Sequence, residues 1–419
     1  APAHNKAVPW VDVLKSEPMQ DSPTRSAEEI ATIIYTSGST GMPKGAMIDF
    51  SAICAASIFS PAEVTVTMDD RLLSYLPLSH VAERMAVEMM GIYTGCRIYF
   101  SEGLATFAAD LQRAKPTLFF SVPRLWMKFM LAVSAAVPPE QMEKMLENPD
   151  TREAASKKIL AILGLDSVRQ AFSGSAPMAQ ELFSFYKNLG LTILDGYGMT
   201  ENFGYSFGSV LGAERLGYVG APRAGVEAKL SDAGEVMVRA NTTMVGYFKD
   251  PERTREAMSE DGFLHTGDRG EFDELGRLRI TGRIKELFKT SKGKYVAPAP
   301  IEDKILHHRG LEACCVTGAG MPLPIGLVML SPDARQKVKD PAGQAQLDGE
   351  LAELLQRVNE QVEHHEMLQA LVVVKDDWTI ENGFLTPTMK IKRQVVEDAY
   401  VPHLPGWYAE RQPVCWQAK

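Results

Sequence analysis

Between Tyr35 and Gly45, hydroxyl side chains and glycines crowd around one lysine in the run Tyr-Thr-Ser-Gly-Ser-Thr-Gly-Met-Pro-Lys-Gly. Such a set suits the oxygens of a phosphate chain. Gly38 and Gly41 let backbone N–H groups approach an oxyanion, Thr36, Ser37, Ser39 and Thr40 add hydroxyl donors, and Lys44 supplies a point charge. The spacing is not that of the Walker loop, which needs Gly-x-x-x-x-Gly-Lys-Ser/Thr. Here Pro43 precedes Lys44 and Gly45 follows it. A flexible polar loop from a strand into a helix is the alternative reading of the same residues.

A second run, Asp195-Gly196-Tyr197-Gly198-Met199-Thr200-Glu201, follows the apolar stretch Thr192–Leu194. Glycines and a tyrosine at a strand end offer a surface for a flat purine. Thr200 and Glu201 add a hydroxyl and a carboxylate. An acidic residue beside a phosphate loop calls for a cation between them, and Mg²⁺ with oxygen ligands is the natural choice. The alternative is a Gly-rich turn followed by a helix cap.

These stretches recur in the order of a known family. The loop at Thr36–Gly45 resembles the phosphate-binding motif of the adenylate-forming enzymes: acyl- and aryl-CoA synthetases, luciferases and peptide-synthetase adenylation domains. Tyr197-Gly-Met-Thr-Glu201 resembles their Tyr-Gly-x-Thr-Glu motif, and the resemblance extends from about Thr32 to Arg393. It implies Mg²⁺ at Thr36 and Glu201 and nucleotide contact by Thr200. It also implies an adenine bordered by Gly174, Ser175 and Ala176 of Phe172-Ser-Gly-Ser-Ala-Pro177. His265-Thr-Gly-Asp268 resembles the family's Thr-Gly-Asp, whose carboxylate accepts from both ribose hydroxyls. Arg283 is implied on ribose or phosphate, and Lys285 falls where the family hinges its C-terminal domain. The charge run Arg283 to Lys294 also reads as a solvated face.

Lys390, in Phe384-Leu-Thr-Pro-Thr-Met-Lys-Ile-Lys-Arg393, aligns with the family's mobile lysine. When a carboxylate attacks the α-phosphorus of ATP, charge builds on the phosphoryl oxygens, and a positioned ammonium stabilises it. Lys392 and Arg393 read as surface charge. Phe384 stands where an acidic residue is expected beside Gly383, and Lys292 stands where family members often carry glycine. Ser74-Tyr-Leu-Pro-Leu-Ser-His-Val-Ala-Glu-Arg84 resembles the Leu-Pro-Leu-x-His segment of long-chain acyl-CoA synthetases. That places His80 near an acyl carboxylate; a helix-capping or core histidine is the other reading. Met85, Met89, Met90 and Tyr93 form a stripe that reads as core before substrate wall. Phe119, Trp126, Phe203 and Phe207 fit an apolar acyl channel or ordinary packing.

The elements that must position these groups follow from periodicity. Strand-like runs at Ala31–Tyr35, Leu72–Leu76, Arg97–Phe100, Thr117–Ser121, Val168–Phe172 and Thr192–Leu194 alternate with helical patterns. The helices are expected at Ser51–Phe59, Val81–Tyr93, Phe107–Arg113, Arg124–Val133, Met142–Leu163 and Ala179–Asn188. Alternation predicts a mostly parallel sheet with ligands at its carboxyl ends. From Gly225 short strands with Gly turns predict a β-rich subdomain (Val226–Leu230, Glu235–Arg239 and a hairpin at Asp273–Gly276). Ala345–Glu366 reads as a long amphipathic helix, and Cys314-Cys315 as buried strand.

The chain of 419 residues is long enough for at least two domains. A net charge of −9 argues against nucleic acid as a partner. No Cys-x-x-Cys or zinc spacing occurs among the five cysteines, which fits a reducing cytoplasm. No apolar run reaches the ~20 residues of a transmembrane helix; peripheral membrane contact and a homodimer stay open. The expected architecture is α/β: a linker (1–28), a core (29–284, of which 29–224 is α/β and 225–284 β-rich) and a small mobile α/β C-terminal domain (285–419). The resemblance implies that much of the family's N-terminal region is lacking. It implies ATP-dependent activation of a long-chain fatty acid through acyl-AMP to acyl-CoA, with ATP, Mg²⁺ and coenzyme A taking part. An acyl-AMP ligase feeding a carrier protein or reductase, and an inert nucleotide-binding module, are the alternatives.

Overall fold

The computed structural model describes all residues except 1–7, 18–19, 22, 37–42, 104, 138, 148, 177, 387–389 and 418–419. The expectations for Ser37, Gly38, Ser39, Thr40 and Gly41 lie outside the described residues.

Strand β1 (Ile30–Thr36) pairs antiparallel with β2 (Lys44–Asp49), setting Thr36 opposite Lys44. The glycine- and hydroxyl-rich stretch therefore joins two strands of a hairpin. This corrects the strand-to-helix reading, because the helix Phe50–Val64 begins only after β2. Ala46 and Ile48 alternate inward and are fully buried, the period-two signature of a strand with one face on the core.

The parallel sheet appears as expected, with β5 (Leu118–Ser121), β6 (Gln170–Gly174) and β7 (Ile193–Tyr197) in sequential order. Beside it, β3 (Arg71–Ser74) pairs in parallel with β4 (Arg97–Phe100). The helices Pro123–Ala136 and Gln180–Asn188 cover the sheet, and Trp126 and Tyr186 meet edge to face at 4.9 Å between them. The single helix expected at Met142–Leu163 is two helices, Pro139–Glu147 and Pro149–Ile162. Pro149, with no N–H to donate, opens the second. The expected helix Val81–Tyr93 is likewise interrupted: a π turn (Arg84–Met89) separates Val81–Glu83 from Met90–Thr94.

Two short antiparallel strands, β8 (Phe207–Gly208) and β9 (Ala221–Pro222), extend the sheet. The β-rich part follows as β10 (Val226–Leu230), β11 (Glu235–Ala240), β12 (Gly246–Tyr247), β13 (Leu264–Phe272) and β14 (Leu278–Arg283). β12 leaves its neighbours and pairs instead with β2. His265–Asp268 lies inside β13 and is not a turn.

The C-terminal part begins with the short pair β15 (Phe288–Lys289) and β16 (Tyr295–Val296). A four-stranded sheet of β17 (Leu311–Thr317), β18 (Ile325–Leu330), β19 (Leu371–Val374) and β20 (Val414–Trp416) follows, with helices Pro298–Ile305 and Pro341–Asn359 packed on it. Cys314 and Cys315 are buried in β17 as read. Phe384, where an acidic residue was expected, stacks at 6.2 Å on both Trp378 and Tyr400. Among the described residues no helix is long and apolar enough to cross a membrane.

Candidate functional site

A cleft of ≈ 3480 Å³ runs between the carboxyl ends of the parallel strands, the β-rich part and the C-terminal part. Thr36, Lys44, His80, Ser175, Ala176, Asp195, Gly196, Tyr197, Gly198, Met199, Thr200, Glu201, Asp268, Arg283 and Lys390 all line it. Chain segments far apart in sequence thus meet in one space.

Thr36, Lys44 and Glu201 form one group on the cleft. Glu201 lies in a 3-10 turn (Thr200–Asn202) directly after β7, and is buried. Gly198 makes this turn fit: a Cβ there would lie 2.4 Å from the Gly204 carbonyl group. Glu201 Oε1 accepts the Tyr247 hydroxyl at 2.7 Å, and Lys44 Nζ lies 4.6 Å from the Tyr247 ring centre. Burial lowers the Lys44 pKa, opposed by Glu201 and reinforced by Lys285 and Arg253. A cation held in this way gains by binding an anion. The Thr36 hydroxyl and the Glu201 carboxylate are hard oxygen donors of the kind Mg²⁺ takes. Among the described residues no cluster of three His, Cys, Asp or Glu would hold a metal alone. A cation here would complete its shell from phosphates and water, so the residues fit Mg²⁺ in that role. Tyr247 was not singled out from the sequence, and nothing in its spacing marks it.

In a second group on the cleft, Asp268 Oδ2 accepts the Tyr197 hydroxyl at 2.6 Å, and Oδ1 accepts Arg283 Nε at 2.7 Å. Register fixes the second contact, since Asp268 and Arg283 are opposite residues of β13 and β14. Burial would lower the Arg283 pKa, but the Asp268 carboxylate beside it wins and raises it. The Tyr197 phenol is pushed up by burial and by the same carboxylate. Gly174 ends β6 without lining the cleft, and Ser175 follows it on the cleft. Ser175 has φ of +70°, a left-handed conformation that side chains seldom adopt and that concentrates at functional turns. Burial pushes the Asp195 carboxyl up to about 7, against the Gly196 N–H that donates to it at 3.0 Å.

Lys390 reaches the cleft from the C-terminal part, from a loop closed by Thr386 N–H to Lys390 O at 2.8 Å and by Lys390 N–H to Thr386 Oγ1 at 3.0 Å. Its side chain is exposed to the cleft, yet removal from bulk water and then Arg283 lower its pKa, while Asp268 opposes them. His80 is the helix cap of the alternative reading: its Nδ1 accepts Ala82 N–H at 3.2 Å. It also faces the cleft. Burial and Lys390 push its pKa to about 4, so the ring is neutral at pH 7, with its proton on Nε2 as a donor.

Two readings are corrected. Arg393 is not surface charge. Its guanidinium contacts Glu302 at 2.6 Å, Glu286 at 3.5 Å and the Val316 carbonyl at 2.9 Å. Nor do Phe119, Trp126, Phe203 and Phe207 wall a channel. All are fully buried in the cores, where Met90 also lies, while Met85 and Met89 pack against core residues. Apolar residues on the cleft include Val122, Met127 and Leu131, with Met178 and Leu182 of the core behind them. The basic run after Arg283 also divides: Lys285 lines the cleft, and Lys289 lies over Tyr295 at 4.8 Å.

The profile of the AMP-binding enzyme family matches residues 2–248, and that of the AMP-binding enzyme C-terminal domain matches 286–412. The chain is 32% identical over 419 residues to a long-chain-fatty-acid–CoA ligase of Mycobacterium bovis, covering 90% of this chain and 69% of that protein. It is 32% identical over 433 residues to the peroxisomal long chain acyl-CoA synthetase 7 of Arabidopsis thaliana, covering 91% and 61%. Among solved structures, the adenylation domain of a Mycobacterium chelonae carboxylate reductase superposes with a TM-score of 0.77 at 26% identity, covering 95% of this chain and 63% of that one. The corresponding domain from Segniliparus rugosus, solved with AMP and a carboxylic acid, gives 0.75 at 26% identity, covering 94% and 64%. The chain thus spans about three-fifths to two-thirds of these relatives, and it belongs to the AMP-binding enzyme family of the adenylate-forming superfamily.

Proposed function

We propose that the chain carries the site for ATP-dependent activation of a fatty carboxylic acid and its transfer to coenzyme A. One observation carries this reading: Lys44 and Glu201, Asp268 with Arg283, and Lys390 face a single cleft from separate parts of the chain. That set serves phosphates, a ribose and a phosphoryl transition state respectively. The acid oxygen attacks the α-phosphorus, forming a C(O)–O–P link as the bond to pyrophosphate breaks. Lys390 stabilises the charge on the α-phosphoryl oxygens, and Lys44 that on the leaving pyrophosphate. Mg²⁺, held at Thr36 and Glu201, would neutralise phosphate charge. Neutral His80 donates from Nε2 to orient the acid. In the second half the thiol of coenzyme A attacks the acyl carbonyl, a C–S bond forms, AMP departs and the thiol proton passes to water. A turn of residues 285–419 about Lys285 would withdraw Lys390 between the halves.

The names of the sequence relatives support a long-chain acid and coenzyme A. A second reading, delivery of the acyl group to a carrier or reductase, is favoured by the carboxylate reductase adenylation domains among the structural relatives. ATP–pyrophosphate exchange measured across acids of increasing length, with and without coenzyme A, tests both. Exchange with long acids and thioester formation with coenzyme A are expected. Exchange without any thioester favours the second reading, and no exchange with any acid overturns both.

A further inference from the structure

The hydroxyl of Tyr247 lies between two charged groups that the cleft brings together, Lys44 and Glu201. It donates to Glu201 Oε1 at 2.7 Å, and Lys44 Nζ comes to 3.5 Å from its oxygen and 4.6 Å from its ring centre. Tyr247 is 5% exposed and Glu201 7%.

The backbone is built to hold it there. β12 pairs with β2, so Tyr247 faces Ala46, two residues beyond Lys44. Phe248 N–H donates to Gly45 O at 2.7 Å, and Val245 N–H to Met47 O at 2.9 Å. Met244 N–H donates to Glu201 O at 2.7 Å, so one short segment is bonded to the chain on both charged sides. Tyr247 N–H itself donates to Thr254 Oγ1 at 2.8 Å. Gly246, at φ +155°, is required beside it, because a Cβ there would lie 2.7 Å from Thr254 Cγ2.

An ammonium and a carboxylate sharing a cleft of low dielectric attract each other strongly. A direct pair would neutralise both the cation that faces phosphate and the carboxylate that faces a metal. A phenol between them donates to the carboxylate and offers its ring face to the ammonium, while carrying no charge itself. We propose that Tyr247 is a positioning residue that orients Glu201 and keeps it from pairing with Lys44, so that both stay available to a metal–triphosphate. The assignment rests on the adenylating reading of the cleft.

Tyr247→Phe keeps the ring and deletes only the hydroxyl. Mn²⁺ is titrated into protein holding a non-hydrolysable ATP analogue, with free Mn²⁺ read by electron paramagnetic resonance. The variant is expected to bind Mn²⁺ about tenfold more weakly, the usual cost of losing a group that orients a metal ligand. Exchange should need about tenfold more Mg²⁺ and recover in excess Mg²⁺, with Tm moving by no more than about 3 °C. In a Glu201→Gln background the same change should alter Mn²⁺ affinity less than about twofold, because Tyr247 acts through that carboxylate. Unchanged Mn²⁺ affinity in Tyr247→Phe, or a loss of exchange that excess Mg²⁺ does not restore, overturns the proposal. A wild-type protein that binds Mn²⁺ and analogue but exchanges with no acid overturns the ligase reading instead, and the Mn²⁺ measurement still decides on Tyr247.

Discussion

Arg393 donates to Glu302 Oε1 at 2.6 Å, three residues beyond Lys390. Glu302 Oε1 also accepts Val316 N–H at 2.7 Å, and Arg393 reaches Glu286, the residue after Lys285. The pair ties the segment that carries Lys390 to the start of the C-terminal part, to the helix Pro298–Ile305 and to β17. Lys in place of Arg keeps the charge but loses the planar fork that reaches several acceptors at once. Arg393→Lys should therefore lower ATP–pyrophosphate exchange about tenfold, a misplaced stabilising group costing on that order. Transfer of acyl from added acyl-adenylate to coenzyme A should stay within about threefold, since the role proposed for Lys390 is confined to the first half. Equal losses in both halves would show that Arg393 merely supports the fold.

Lys390 should lose its proton below the ordinary lysine value of about 10.4, because removal from bulk water and Arg283 both disfavour its charge. The alkaline limb of kcat/KM for ATP, which reports the free protein, is expected below that value. The limb of kcat should lie higher, because bound phosphates restore the ammonium. Lys390→Arg should move the kcat/KM limb upward to where Lys44 loses its proton, since a guanidinium does not deprotonate in this range. An unmoved limb in that variant would assign it to Lys44, whose pKa burial also lowers.

Asp268 already accepts from Tyr197 and Arg283, yet a carboxylate has about four acceptor sites. Its remaining lone pairs can take a ribose diol while the two protein donors hold it still. Hydrogen bonds to a charged group contribute about 1.5–3 kcal/mol each. ATP should accordingly be preferred over 2′-deoxy-ATP by roughly ten- to a hundredfold in kcat/KM. In Asp268→Asn the preference should shrink to within about threefold. Retention of the full preference would place the ribose elsewhere.

Much of this was legible because the chemistry lies in contiguous runs. Asp195 to Glu201 and His265 to Asp268 are each a few residues on one strand or turn, so reading along the chain finds them together. Strand–helix alternation from Arg71 to Asn188 likewise follows from local periodicity, whereas the strand Lys44–Asp49 was not read. Relationships made by topology were not legible. Tyr247 matters because β12 crosses to pair with β2, which no local pattern announces. Arg393 looked solvated because its partners, Glu286 and Glu302, are about a hundred residues away in sequence. The aromatic residues Phe119, Trp126, Phe203 and Phe207 failed as channel candidates because core and channel wall share one composition, and only burial separates them.

Asp195 gives a test of stability alone. Burial lifts its pKa to about 7, well above the ~3.9 of an unfolded chain. A carboxyl whose folded pKa is raised contributes stability that is fully present below the unfolded value and is lost as pH rises through the folded one. The window here is therefore about pH 4 to 7, and at pH 8 the native state carries a charge that its surroundings disfavour. Asp195→Asn removes that charge and keeps an Oδ1 acceptor for Gly196 N–H. Variant and wild type should unfold nearly alike at pH 4. At pH 8 the variant should be more stable by on the order of 1–2 kcal/mol, a figure discounted because the side chain is partly open to water in the cleft. Urea unfolding at the two pH values measures this directly. A wild type that gains on the variant between pH 4 and 8 would mean that Asp195 is ionised and stabilised in the native state, contrary to the burial argument.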